Sequence, residues 1–544
     1  MSSSSPRRTH FPPDGPAGVR PSAWTARLIT LSAEAGRALK TARSLAEGPV
    51  YLVGGALRDA CLGRPFSDLD LAAEKPLLLA RRLAREIGRG LVVLDENERV
   101  YRVILKETGS LKQIDVAGLK GVTIGEDLMR RDFTINALAW PVPRSPGRAI
   151  SRKEVLDPRG GLEDLKARRL RCETAALLRE DPLRLLRAFR LAAELGFTLD
   201  PGTLSRIRAS SRLAATPAGE RIRSELLALL ACPGASRLLW LMDETRVLTA
   251  VFREFEPQRR CAQAYYGKGG VLKHSLDVVS RLDFLLDHLE QAFPRPAKAL
   301  RERFAGREGE PSPHRGLLML AALLHDVAKP RTAQKIGGRL RFFGHDTVGA
   351  KMALEIMKRL RFSREESRLV AAIVEHHLRP GNLAASGKVT DRAAYRFFRD
   401  IGKPAIDLLL VCWADHASYL PEAVVARALK KGGFGRFLKE GRIGDTLLQG
   451  VPNAPGEPPG ERKTFWHLAV VSELMEQSAR PERSRLARLL DGHDVMRILS
   501  LAPGPEVGRW LEALAEARAL NRIKTRTEAV AYLKKQYRSR VIGP

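Results

Sequence analysis

The stretch that decides the fold runs from Tyr51 to Glu74, YLVGGALRDACLGRPFSDLDLAAE. With Val50, its first residues predict a strand over 50–53. Gly54-Gly55 ends that strand, and ALRDACL predicts a helix over 56–62 directly after it. Backbone N–H groups at such a turn can cradle phosphate, and glycine lets phosphate oxygens come close. Arg58, on the first helical turn, adds positive charge there. Beyond the helix, Asp68 and Asp70 alternate on a predicted strand, so both carboxylates share one face. Paired carboxylates suit Mg2+, which binds oxygen ligands and retains waters for substrate phosphates. Asp115, in QIDVAG, is a third candidate carboxylate on a further strand. A Gly-Gly turn alone is most often only a turn, and a DxD alone is most often solvated. Their order within one short stretch carries the weight.

Outward from this stretch, Leu91–Leu94, Val100–Leu105 and Gln113–Val116 predict more short strands, and residues 26–47 are helix-like. Residues 1–25 form a Ser/Pro/Arg-rich tail with no apolar core, expected to be disordered. From about residue 160 the apolar spacing is helical throughout, as in Leu183–Leu195, Ile222–Leu230, Leu317–His325 and Lys351–Leu360. Pro141–Arg152, Phe293–Pro313 and Gln449–Arg462 read as loops or insertions. The fold class is therefore α+β: a small mixed α/β, palm-like head followed by a long all-helical neck and body.

Length and charge agree with several domains and a polyanionic partner. The chain has 544 residues, with 92 Lys+Arg against 62 Asp+Glu, a difference of +30. Such a surface attracts RNA, DNA or an acidic membrane. The excess of Arg over Lys also fits a GC-rich genome, so charge alone does not choose among these. An apolar share of 44% excludes wholesale disorder. Cys61, Cys172, Cys232, Cys261 and Cys412 stand far apart, which excludes a zinc ribbon or a disulfide framework. No run of 18 apolar residues occurs, so no membrane partner is expected and the chain reads as soluble and cytoplasmic.

The strings LVGGALRD, SDLDLA, LMRRDFTINALAW and EDPLRLLRAFRLAAELGF, in that order, resemble the tRNA nucleotidyltransferase/poly(A) polymerase family, class II of the DNA-polymerase-beta-like nucleotidyltransferases. The resemblance covers about residues 48–260. It implies that Asp68 and Asp70 hold the catalytic metals, with Asp115 the third carboxylate, and that Gly54, Gly55 and Arg58 contact the triphosphate. It implies that Arg131 and Asp132 bind the nucleotide and favour a ribose, with Asn136 beside them ordering the motif or touching the nucleotide. Glu180, Asp181 and Arg184 match the family's EDxxR motif, in which Asp and Arg read the Watson–Crick edge of the incoming base. Asp181 would accept from an exocyclic amine and Arg184 would donate to ring or carbonyl acceptors. Three residues apart, they are expected on one helix face. Arg187, one turn on, is either a further nucleotide contact or part of a solvated basic face. LDPRGGLEDL looks like the hinge motif, and GERIRSEL supplies Glu220, Arg221 and Glu225.

Farther on, five of the histidines between residues 274 and 377 form an ordered set: His274, His325, His345, His376 and His377. Asp326 follows His325, and Asp415 lies in VCWADHAS. Histidines and aspartates of a helical bundle can converge on a divalent metal. The pattern resembles the HD superfamily of metal-dependent phosphohydrolases over about residues 265–420. The minimal set implied is His274, His325, Asp326 and Asp415. His345 and one or both of His376 and His377 would match members holding two metals. The sequence selects none of nickel, manganese, iron, cobalt or magnesium. A second His-Asp pair, His493-Asp494, has no partner histidines and reads as a helix-cap region.

The expected domains are a tail (1–25), a nucleotidyltransferase head (26–145), and a helical neck and body for base recognition and RNA binding (146–260). An HD domain (261–420) and a helical C-terminal RNA-holding region (421–544) follow. The expected activity adds CMP, AMP or both, from CTP and ATP, to the 3′ end of tRNA or another RNA, with phosphate hydrolysis at RNA ends by the HD domain. Poly(A) polymerase uses the same catalytic residues, and its branch typically has a basic GRRF-like segment where this chain has LVVLDENERVYRVI. A phosphohydrolase with a non-catalytic RNA-binding head is the alternative from a different class. Oligomeric state is left open.

Overall fold

A computed structural model of the chain describes residues 28–105, 109–306, 312–385, 389–435, 460–479 and 489–541. The expected tail and most of the expected Gln449–Arg462 linker lie outside these residues. The described residues divide into two compact units, residues 28–253 and residues 254–306 with 312–541. Among the described residues no helix is long and apolar enough to cross a membrane.

The first unit is built on a six-stranded sheet. Its strands are β1 (Val50–Val53), β2 (Asp68–Ala73), β3 (Gly88–Asp95), β4 (Val100–Leu105), β5 (Gln113–Gly118) and β6 (Ala139–Pro141), in spatial order β3-β4-β5-β2-β1-β6. Helix α1 (Gly54–Cys61) starts directly at the end of β1. β2 and β5 run parallel, and their register sets Asp70 beside Asp115. The other neighbouring pairs are antiparallel. Leu69, Leu71, Ile114 and Val116 alternate with those aspartates and are buried on the opposite face. The period of two therefore separates a dry face from an acidic one. Helices α2 (Ala175–Glu180), α3 (Arg184–Leu195) and α4 (Gly219–Ala231) follow the head.

The second unit is a bundle. Its main helices are α5 (Gly270–Asp287), α6 (Pro313–Leu324), α7 (His345–Arg359), α8 (Arg364–His376) and α9 (Ala405–Ser418). Leu317–Leu324 on α6 is apolar on every side and fully enclosed, as a central helix must be. Asp407 on α9 is buried beside Arg303, at 2.5 Å, and His314, at 3.0 Å. Burial pushes its carboxyl up, but the His314 and Arg303 donors more than reverse this and hold it below the usual range. Its contribution to stability is thus present above the ordinary carboxylate pKa and lost as pH falls through the lower one. Asp407→Ala is expected to destabilise this unit by about 3 kcal/mol at pH 7 and by much less in acid, measured by thermal unfolding across pH.

Three expectations need correction. The all-helical reading after residue 160 misses a hairpin, β7 (Gln334–Ile336) and β8 (Arg339–Arg341), turned by Gly337 and Gly338 at φ +57° and +74°. Two adjacent residues at positive φ are the turn that fits the twist of paired strands, and Gly-Gly takes it without strain. It also misses a short parallel pairing of Arg169–Leu170 with Thr198–Leu199. The loop expected over Phe293–Pro313 contains a helix, Ala297–Phe304. His493-Asp494 is a cap as expected. Asp491 and Asp494 form a reciprocal capping box, and Asp494 also accepts from Arg497 and Arg526.

Candidate active sites

In the first unit, a cavity of about 640 Å3 opens over the acidic sheet face. Gly54, Gly55, Arg58, Asp70, Asp115, Arg131, Asp132, Asn136, Arg184 and Arg187 line it, so ten of the expected residues meet around one space. Asp68 shares the strand face with Asp70 but stands outside this wall, as do Glu180 and Asp181. Gly54 takes φ +65°, and a Cβ there would lie 3.1 Å from Asp70 Oδ2 and 3.2 Å from an Arg131 nitrogen. The turn therefore requires glycine both for its backbone and for the close approach of these two side chains.

Asp70 Oδ2 accepts from the Ala56 N–H at 3.1 Å. Burial, joined by the nearby Asp115, pushes its carboxyl up to about 6 despite that bond. Asp115 gives both oxygens to Arg102, at 2.8 and 2.7 Å. Asp68 and Asp70 also act on Arg102 electrostatically, so this guanidinium is the counter-cation of the whole acidic face. Closely set carboxylates, one of them short of solvent, match the donor chemistry of a hard divalent cation. Asp68 and Asp70 would hold it. Asp115 could join only by giving up Arg102.

Around the cavity the charged groups interlock. Arg58 donates to Asp59 and to Asn136 Oδ1, and Asn136 donates to Asp132 Oδ1 at 3.0 Å. Burial pushes the Asp132 carboxyl up, but Arg187 and the Asn136 and Phe133 donors outweigh it and hold it low. Arg187 also reaches Glu225 on α4, which Arg190 shares. Asn136 thus bridges two motifs, and Arg187 belongs to the cavity rather than to a solvated face.

Asp181 and Arg184 do not share a helix face. Asp181 precedes Pro182 and is extended, at φ −131° and ψ 96°, because a residue before proline is kept from the helical region. Its carboxylate pairs with Arg221 at 3.2 Å. Arg184 opens α3 and donates to Leu177 O, Glu180 and Arg130 O, leaving its buried Nε without a partner. Half-exposed Arg221 holds Asp181 weakly, by about 0–1 kcal/mol as surface pairs go, so a base can displace it.

The second unit brings six expected ligands together. His274, His325 and Asp415 form one group within 4.8 Å, and Asp326, His345 and His377 form a second. They come from the second turn of α5, the C-terminal ends of α6 and α8, the start of α7 and the last turn of α9. His325, His345 and His377 each donate Nδ1–H to a carbonyl three residues back, at 2.8, 2.6 and 2.7 Å. That fixes Nε2 as the lone-pair nitrogen, the arrangement seen around metal-binding imidazoles. Asp326 joins the groups. One oxygen lies 3.1 Å from His325 and 3.5 Å from His274, and the other 3.4 Å from His345 and 3.7 Å from His377.

The buried Nε2 atoms of His274 and His325, Asp326 Oδ1 and Asp415 Oδ1 lack a good hydrogen-bond partner, while Asp326 Oδ2 meets Lys329. Four orphaned ligand atoms aimed at one space fit divalent metal. Burial keeps the His377 imidazole neutral, its pKa pushed down to about 4. Burial raises the Asp326 carboxyl, but His325 and Lys329 carry it well below the usual range.

His376 joins neither group. One residue is 100° of helix, so when His377 faces inward at the C-terminal end of α8 its neighbour turns away. Sequence reasoning missed Lys329, paired with Asp326 and 2.8 Å from Tyr266 Oη, and it missed Arg102. The spacing Asp326–Lys329, one helical turn, was the available signal for the first.

A model of the poly(A) polymerase head domain matches residues 50–171, and an HD-domain model matches residues 271–420. A third, described as the probable RNA- and SrmB-binding site of polymerase A, matches residues 196–259. The A-adding tRNA nucleotidyltransferase of Deinococcus radiodurans is 34% identical, over 89% of this chain and 94% of its own. The chain belongs to the tRNA nucleotidyltransferase/poly(A) polymerase family. The CC-adding tRNA nucleotidyltransferase of Thermus thermophilus is a further relative, 32% identical over 89% of this chain and 92% of its own. The Thermotoga maritima CCA-adding enzyme complexed with tRNA shares the family fold, with a TM-score of 0.58 over 96% of this chain and 98% of that one, at 18% identity.

Proposed function

We propose that this family member adds CMP, AMP or both, from CTP and ATP, to the 3′ end of tRNA. The observation that carries this reading is the single cavity walled by Gly54, Asp70, Asp132 and Arg187. In it the Gly54-Gly55 turn and Arg131 receive the triphosphate, and Asp132, oriented by Asn136, receives the ribose. Arg184 and Asp181 meet the base edge once Arg221 lets go. The RNA 3′ oxygen attacks the α-phosphorus, the bond to the β-phosphate oxygen breaks, and pyrophosphate leaves with that electron pair. Asp68 and Asp70 would hold Mg2+, which would supply charge neutralisation and a lowered hydroxyl pKa.

The six ligands of the second unit support metal-dependent hydrolysis of a phosphate ester at an RNA end. Offering tRNAs that lack CCA, CA or A together with CTP, ATP or both tests the first activity by product length. Addition that stops at or before the complete CCA end is expected. Long A tracts on any RNA would make the chain a poly(A) polymerase, and no incorporation would leave only the hydrolase.

A further inference from the structure

The hairpin between the metal ligands Asp326 and His345 carries a charge that the protein does not use. From Lys329 to Phe343 the sequence KPRTAQKIGGRLRFF holds five cations and no acid. Arg331, Lys335, Arg339 and Arg341 are exposed, and none has a carboxylate partner among the described residues. Among the described residues, some exposed arginines of this unit are paired, as Arg379 and Arg399 with Asp400, and Arg392 and Arg396 with Glu516, and others such as Arg364, Arg368 and Arg509 are not, but the hairpin gathers its cations in one short stretch with no acid among them. Like charges crowded on a two-stranded hairpin, itself marginal in water, weaken it, so their presence asks for a partner outside the fold. Cross-strand register pairs Gln334 with Arg341 and Ile336 with Arg339, so two arginines flank an exposed Ile336 on one face. Phe343, just past the hairpin, is 68% exposed. Cations beside a bare aromatic ring are what tracks a single strand of nucleic acid, through phosphates and base stacking.

The hairpin is also wired to the metal ligands. Lys329, at its entrance, pairs with Asp326. Phe342, at its exit, accepts the His345 Nδ1–H at 2.6 Å, and its ring centre lies 5.6 Å from Lys329 Nζ. A strand lying on β7–β8 therefore ends at the wall of the metal site.

We propose that β7–β8 and Phe343 bind the end of a single-stranded RNA and deliver it to the His/Asp centre, so that the substrate of that centre is a nucleotide at the end of a strand rather than a free small phosphate. The proposal rests on the hydrolase reading above. The test uses the full chain loaded with Mn2+, and a short ribo-oligonucleotide with a 4-thiouridine near its 3′ end and a 2′,3′-cyclic phosphate.

Photocrosslinking is expected to label the peptide containing residues 334–343. The label should fall at least tenfold in Arg339→Glu/Arg341→Glu and clearly in Phe343→Ala. Removing two phosphate contacts should also lower the salt dependence of binding at this site by about 1.4 in log–log slope. Hydrolysis of the oligonucleotide should show KM raised tenfold or more, with hydrolysis of bis(p-nitrophenyl) phosphate within twofold. No label on residues 334–343, equal loss on both substrates, or hairpin-dependent binding to phosphatidylserine vesicles that RNA does not compete would each overturn the proposal. If the wild type hydrolyses neither phosphate, the hydrolase reading fails, while the crosslink still decides the hairpin.

Discussion

Asp70→Ala is expected to lower nucleotide incorporation by about 10^3-fold or more, a loss of ~4 kcal/mol of transition-state stabilisation, while tRNA affinity stays within about twofold. Asp70 is the carboxylate set against the Gly54-Gly55 turn, where the triphosphate is placed, and its neighbour Asp115 is held by Arg102. The loss will not come from unfolding. Without a cation the ionised Asp70 is a burden, since burial and Asp115 push its carboxyl up to about 6. The folded state then holds the proton more tightly than the unfolded one does. That contribution is complete below about pH 4 and is lost as pH climbs through about 6. With metal chelated, Asp70→Asn should therefore raise the unfolding temperature at pH 8 and leave it unchanged at pH 4. The gain is about 1–2 kcal/mol, less than full burial would give, because the side chain keeps some solvent at the cavity mouth. Added Mg2+ should then stabilise the wild type and not the variant. Wild-type incorporation by Asp70→Ala, or equal Mg2+ stabilisation of both proteins, would remove Asp70 from the site.

What the sequence made legible follows from period and order. The period of two in Ser67-Asp68-Leu69-Asp70 set the acidic face, and the parallel neighbour Asp115 was found because its strand repeats the same alternation. The six clustered residues were visible as candidate metal ligands because histidine and aspartate are rare enough in helices for an ordered set to stand out. What was not legible depends on contacts without a period. Arg102 claims both Asp115 oxygens from β4, and no spacing rule ties residue 102 to residue 115 across an antiparallel pair before the register is known. The choice between His376 and His377 needs the phase of α8, which two adjacent identical residues cannot reveal. The separation of Asp181 from the α3 face was available in Pro182, but helical spacing was read through it. The hairpin was hidden because KIGGRLR alternates charge with aliphatic groups over only three residues a side, too short to compete with the helical pattern around it.

Asp326→Ala is expected to abolish phosphate-ester hydrolysis by this chain, by about 10^3-fold or more, and to lower bound divalent metal from about two per chain to less than ~0.5. The expectation rests on one carboxylate serving both ligand groups, with each oxygen facing a different pair of imidazoles. Asp415→Ala, by contrast, touches only the first group and should remove about one metal. Nucleotide addition to tRNA should be unchanged in either variant, since the transferase cavity lies wholly in the first unit. Asp326 also neutralises buried Lys329, so its removal leaves an unpaired cation at a cost of about 3 kcal/mol. Asp326→Asn retains the side chain's volume and an acceptor for Lys329, and it separates metal loss from unfolding. The pair His377→Ala and His376→Ala supplies the sharpest geometric check. The structure places His377 Nε2 3.2 Å from His345 Nε2, two lone-pair nitrogens that repel unless a cation or proton lies between them. His377→Ala should therefore empty the second group, measured by metal analysis of the purified protein, whereas His376→Ala should retain full metal content. The reverse result would mean that α8 is turned by one residue from the phase seen here, and the assignment of the second group would fall with it.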